Sequence, residues 1–171
     1  MKQIDELQDC LDGVNARMTV GPTTHQAWTD ALKKDLALLG REKRYWVHAD
    51  LPYEPGQFDQ PADADAWLYD LSWHSYSENN RWLVNIELAM QAEWRHPEAV
   101  LASFQKLCQA RARFKLMIYQ AATVSDGDAL VAQLMRQRSV FALRDPGESW
   151  LLSCWVAESR GFRHEVVEPQ G

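Results

Sequence analysis

The segment Arg81-Trp82-Leu83-Val84-Asn85-Ile86-Glu87-Leu88-Ala89-Met90-Gln91-Ala92-Glu93-Trp94 alternates apolar and polar residues almost without interruption. Trp82, Val84, Ile86, Leu88, Met90, Ala92 and Trp94 take one side, and Asn85, Glu87, Gln91 and Glu93 take the other. Successive side chains of a strand point to opposite faces, so this period of two predicts one long strand with an apolar and a polar face. Just upstream, Asp70, Ser72 and His74 share one face of a similar run, and Trp67, Tyr69, Leu71 and Trp73 share the other. The two runs are joined by Ser77-Glu78-Asn79-Asn80, whose turn-forming residues predict an antiparallel hairpin. Two acid-bearing strand faces therefore lie side by side.

Working outward, Ile4, Leu7, Leu11 and Val14 recur at helical spacing, with Gly13 as a plausible stop. Thr23 and Gln26 have capping-box spacing ahead of a helix whose stripe is Trp28, Ala31, Leu32, Leu36 and Leu39, closed by Gly40. Arg44 to Ala49 is a β-rich run, and the Pro- and Asp-rich stretch from Pro52 to Ala64 reads as a loop. After the hairpin, Pro97 opens a helix with Val100, Leu101, Phe104, Leu107 and Cys108 on one side. Phe114 to Tyr119 has the continuous apolar character of a central strand, and Ser125 is placed to cap a helix ending near Arg138. Ser149 to Ala157 is a further strand, and Phe162 to Glu168 an edge strand. The expected fold is α/β, a mixed sheet of about five strands flanked by helices. One domain spans 1–171, with a helical extension over 1–20, a core over 23–121 and C-terminal helix and strands over 122–171.

Composition narrows the functional classes. With 171 residues, 46% of them hydrophobic and eight Trp, the chain can bury a real core. The net charge of −6, from 24 acidic against 18 basic residues, counts against avid nucleic-acid binding, which draws on phosphate neutralisation. Cys10, Cys108 and Cys154 are odd in number and widely spaced, as free thiols of a reducing compartment are. The N-terminal residues are too charged for a signal peptide, and no apolar run approaches the ~20 residues that span a bilayer. A cytoplasmic protein with no membrane partner is the expectation.

The acidic hairpin suits a divalent ion such as Mg²⁺, which takes one or two carboxylates from a protein. Opposed residues on neighbouring strands have Cβ atoms ~4.5–5.5 Å apart. A hairpin symmetric about Asn79 puts Asp70 opposite Glu87; a longer loop or a bulge moves it toward Gln91. Residues two apart in a strand are separated by ~6.6 Å, so Gln91 and Glu93 can flank one ion, while Glu87 and Glu93 cannot share one.

Taken with the order of elements, these residues resemble the PD-(D/E)XK nuclease superfamily, also called restriction-endonuclease-like. Its core runs helix, three strands, helix, strand, with an Asp on the second strand and an acid-x-Lys triplet on the third. The resemblance covers roughly Thr23 to Ala121. Asp70 matches the Asp, and Gln91-Ala92-Glu93 matches the triplet in the form where Glu replaces the Lys. Phe104-Gln105-Lys106-Leu107 is similar to a helix motif found after the triplet in some members. The resemblance implies Mg²⁺ (or Mn²⁺) at Asp70 and position 91, with Glu93 orienting the attacking water and Lys106 stabilising charge; Glu87 is a metal ligand instead where the hairpin is symmetric. No Pro precedes Asp70, and position 91 is an amide where an acid is expected.

Three functions follow from these readings: a Mg²⁺-dependent phosphodiesterase acting on nucleic acid, a catalytically inactive descendant serving as a binding module, or a homodimer joined through the polar strand face. The bland counterparts are a wet sheet face for Glu87, Gln91 and Glu93, a solvated Lys106, which lies ~170° from its helix's apolar stripe, and structural roles for His48 and His74. Arg111, Arg113 and Lys115 form a cluster that either meets phosphate or is simply solvated.

Overall fold

The computed structural model describes residues 2–21, 23–51, 68–79, 81–143 and 145–169. The loop expected from Pro52 to Ala64, and Trp67, lie outside them. The chain forms α1 (Lys2–Met18), α2 (His25–Glu42), β1 (Trp46–Ala49), β2 (Leu71–Tyr76), β3 (Leu83–Glu93), α3 (Pro97–Gln109), β4 (Ala112–Ala121), α4 (Val124–Val140), β5 (Ser149–Val156) and β6 (Gly161–Val167). The six strands lie in chain order, one more than the expected five. Pairings β3–β4 and β4–β5 are parallel, and the rest are antiparallel.

Helices cover both faces. Ile4, Leu7, Leu11 and Val14 of α1 join Trp28, Leu32 and Leu36 of α2 over Leu71, Trp73, Leu88, Met90, Leu116 and Ile118. The N-terminal helix is thus part of the main core, and it runs through Gly13 to Met18. On the other face, Val100, Phe104 and Leu107 of α3 and Leu130 and Leu134 of α4 pack on Ala89, Met117, Tyr119, Trp150 and Leu152. Central strand β4 is buried on both sides, which accounts for its continuous apolar run.

Several caps sit one or two residues from their expected places. Thr24, not Thr23, accepts the Ala27 N–H at the start of α2, while the Thr23 hydroxyl accepts the Trp28 indole N–H. Thr123, not Ser125, caps α4 by accepting the Asp126 N–H. Helix α2 passes Gly40 and ends at Glu42. Gly40 instead makes room for Trp73, whose indole would lie 2.5–2.8 Å from any Cβ added there. That indole donates to the Leu36 carbonyl at 3.1 Å, fixing α2 on β2.

The hairpin is real, but its register is not the symmetric one. Leu71 pairs with Met90, Ser72 with Ala89 and Trp73 with Leu88; His74 then pairs with Ile86 and Tyr76 with Leu83. Two irregularities, between Trp73/His74 and between Ser75/Tyr76, each insert a residue into β3. Continuing the upper register places Asp70 opposite Gln91. Of the two pairings the sequence left open, the bulged one holds, and Asp70 does not face Glu87.

The first bulge also switches faces. Ile86 packs on the α3/α4 side, whereas Leu88 and Met90 face α1/α2. Glu87 is the inserted residue; its Oε1 accepts from Asn85 Nδ2 (2.9 Å) and Ser75 Oγ (3.4 Å). Ser75 is two residues from Trp73 along β2, so Glu87 belongs to the α1/α2 face, away from Gln91 and Glu93. The uninterrupted alternation expected along β3 holds only beyond the bulge. At the hairpin tip, Trp82 and Val84 are exposed.

Candidate functional site

The polar corner lies where β2 begins and β3 ends. Ala92 projects its N–H toward β2 one step beyond the last paired residues. Asp70 supplies the missing acceptor: its Oδ2 takes the Ala92 N–H at 2.8 Å, and its own N–H donates to the Met90 carbonyl at 3.1 Å. The carboxylate thus finishes the ladder in place of a backbone carbonyl. Burial pushes its pKa above the ordinary aspartate value; the Ala92 N–H, Lys33 and Lys106 pull it down, and Glu93 adds to the rise.

Gln91 follows on the same face. The residue is 5% exposed and its side chain makes no hydrogen bond among the described residues, although its amide atoms are not among the fully buried unpartnered ones. Glu93, at the end of β3, is 7% exposed. Arg95 binds it side-on, with Nε on Oε1 at 2.8 Å and Nη2 on Oε2 at 2.7 Å, and the Arg95 backbone N–H adds a third bond at 3.0 Å. These bonds hold Glu93 below the ordinary glutamate pKa against its burial, and Arg95 is correspondingly more basic.

Lys106 is exposed on the last turn of α3, turned from that helix's buried side as its spacing requires, yet its charge reaches Asp70. Lys33 was not singled out from the sequence. It is 94% buried on α2, with Nζ donating to the Asp50 carbonyl at 2.5 Å, and its charge also reaches Asp70. A signal existed: Thr29, Lys33, Ala37 and Gly40 recur at helical spacing, and Thr29 Oγ1 accepts the Trp94 indole N–H at 2.8 Å. The buried stripe of α2 is wider than its apolar residues.

The corner brings together Asp70, Gln91 and Glu93, with Lys33 and Lys106 in electrostatic reach, and leaves Glu87 out. Among the described residues no three His, Cys, Asp or Glu side chains are grouped to hold a metal ion. With Glu93 occupied by a guanidinium and position 91 neutral, Asp70 is the one acid without a cationic partner bonded to it. The donor set does not fit a resident Mg²⁺ well, since the ion prefers carboxylate oxygens in near-octahedral order.

Trp94, next to Glu93, is stacked on His25 with ring centroids 5.9 Å apart, while Trp73 is fully buried beneath α2. His48 on β1 and His74 on β2 lie in tilted contact, with ring centroids 4.3 Å apart. His74 bonds Ser72 Oγ at 2.9 Å, and burial, then His48, push its pKa down to about 4. Lys115, read with Arg111 and Arg113 as a charge run, parts from them. It is 2% exposed and bonds Glu148 Oε2 at 2.5 Å, while the two arginines stay on the surface.

Beside the corner, a crevice of about 600 Å³ opens between α3 and α4 at the carboxyl end of β4, lined by residues that include Arg95, Gln120, Asp126 and Ala129. Ligands of open α/β sheets commonly bind at the carboxyl ends of parallel strands. The architecture defines a three-layer α/β/α protein with a mixed sheet. No protein-family model matches the chain, and no curated protein or solved structure matches it. No helix among the described residues is long and apolar enough to cross a membrane.

Proposed function

We propose that this chain is a divergent protein of PD-(D/E)XK type that no longer cleaves phosphodiester bonds and serves as a binding module. The element order supports the family reading: helix, three antiparallel strands, helix and a parallel fourth strand run in sequence from α2 to β4. The observation that carries the loss of cleavage is the bidentate Arg95–Glu93 pair beside an amide at position 91. The residue expected to handle water is bonded to a cation, and the residue expected to bind metal carries no charge. Incubation with labelled DNA and RNA in Mg²⁺ or Mn²⁺ should give no cleavage above an Asp70→Ala control. Calorimetry should detect no divalent-ion binding at millimolar concentration. Cleavage that vanishes in Asp70→Ala would refute the reading.

A second reading, an active Mg²⁺-dependent phosphodiesterase, is favoured by one observation. Asp70, Glu93, Lys33 and Lys106 interact electrostatically at one corner, the company that phosphate chemistry requires. The same cleavage assay separates the two.

A further inference from the structure

Arg95 serves the crevice as well as Glu93. Two of the five N–H donors of a guanidinium go to Glu93, through Nε and Nη2. The Nη1 edge has no partner among the described residues, and the side chain is 71% exposed at the crevice wall. Because Glu93 is buried and rigid, it holds Arg95 in one orientation instead of leaving a long side chain to sample many. A guanidinium fixed on one edge presents its other edge as a fork for a second anion.

The rest of the lining limits what that anion is attached to. Ala129, Leu130 and Ala157 give an apolar floor without charge, and Gln120 stands at the rim with its amide nitrogen directed to the Trp94 carbonyl. Asp126 holds the Thr123 hydroxyl on Oδ2 at 2.8 Å, leaving Oδ1 to accept from a ligand. A bare phosphate would meet Arg95 but also the like charge of Asp126. A ligand with an anionic group at one end, hydroxyl donors in the middle and a flat apolar body satisfies the whole lining, and about 600 Å³ suits such a molecule.

We propose that this crevice is a nucleoside monophosphate site, in which Arg95 forks the phosphate, Asp126 accepts from a ribose hydroxyl and the base lies on the alanine-lined floor. Glu93 is then a positioning residue for Arg95. The proposal rests on the binding-module reading and names its ligand; the cleavage assay tests that reading separately, so failure of one is distinguishable from failure of the other.

Calorimetric titration of the full chain with adenosine and uridine monophosphates, the parent nucleosides and inorganic phosphate tests it. Either monophosphate should bind saturably, about tenfold or more tightly than its nucleoside, with inorganic phosphate weaker still. Arg95→Gln should erase the preference for the phosphorylated form. Glu93→Gln should reduce that preference several-fold without changing nucleoside affinity, a selectivity that mere structural damage would not produce. Ala129→Trp, at an exposed helix position, should abolish binding while leaving the melting temperature intact. Absence of saturation with both monophosphates up to about 10 mM, or affinity unchanged in Ala129→Trp and Arg95→Gln, would overturn it.

Discussion

The two ends of strand β4 handle charge in opposite ways. At its amino end, Glu148 is 2% exposed and fully engaged, bonding Lys115 at 2.5 Å and the Trp150 indole at 2.8 Å, with Arg138 Nε at 3.6 Å. Two cations share one carboxylate there, and the carboxyl ends of α3 and α4, near Lys115 and Arg138, supply compensating negative dipole. At its carboxyl end, burial pushes Asp70 toward its neutral form, and Arg95 keeps an edge open to solvent. The closed end is a buried ion network built on Glu148, although Arg138 Nε makes no hydrogen bond there. The open end keeps a free guanidinium edge on the wall of a crevice, where a ligand would complete it.

That contrast breaks most visibly at Glu148. Glu148→Gln would leave Lys115 and Arg138 buried without their counter-charge, and a loss of about 3–5 kcal/mol is expected. Denaturant unfolding followed by Trp fluorescence measures it, and a loss below about 1 kcal/mol would show that the closed end is wetter than its exposure implies.

At the open end the sign depends on the substitution. Asp70→Ala orphans the Ala92 N–H and should destabilise by about 1–3 kcal/mol. Asp70→Asn keeps a carbonyl for that N–H and removes a charge disfavoured by burial, so its stability should equal or exceed that of the unmodified chain. The raised Asp70 pKa gives the same sign against pH: protonation is easier in the folded state, so this residue's contribution to stability rises as pH falls through its folded pKa. An Asn variant less stable than the Ala variant would mean that the carboxylate itself is needed there.

His74 works against Asp70 in acid. Its folded pKa of about 4 lies below the ordinary 6.5, so its contribution is fully present above pH 6.5 and is lost as pH falls toward 4. Urea midpoints measured across that window should fall in the unmodified chain and flatten in His74→Gln. Parallel profiles for the two proteins would remove His74 as the cause.

The two ends of β4 also show how far the sequence could be read. The long strand through Met90 was legible because alternation is a local property, and the helices followed from their apolar stripes. The placement of Asp70 was ambiguous because register depends on two bulges, and a single inserted residue such as Glu87 turns a side chain from one face to the other. Lys33 and Lys115 were hidden for another reason. Lysine is ordinarily solvated, and the groups that receive these two, the Asp50 carbonyl and Glu148, lie 17 and 33 residues away in the chain. A charge inside the apolar run Phe114 to Tyr119 did signal a partner somewhere, without saying where. Arg95 was invisible as a site residue because only the fold sets its free edge against a crevice.

The smallest expected effect separates stability from function most sharply. Arg95 is largely exposed, so its bonds to Glu93 are screened by water, and Arg95→Gln should leave the urea midpoint nearly unchanged. A double-mutant cycle with Glu93→Gln should likewise show little coupling in unfolding. Structural pairs show their coupling in stability, as Lys115 and Glu148 should. If Arg95 and Glu93 instead couple in unfolding as strongly as Lys115 and Glu148, the pair is a fastener of the β3–α3 junction and the two ends of β4 are alike. If the coupling is weak in unfolding yet strong in binding a phosphorylated ligand, Glu93 is at the end of β3 to aim Arg95.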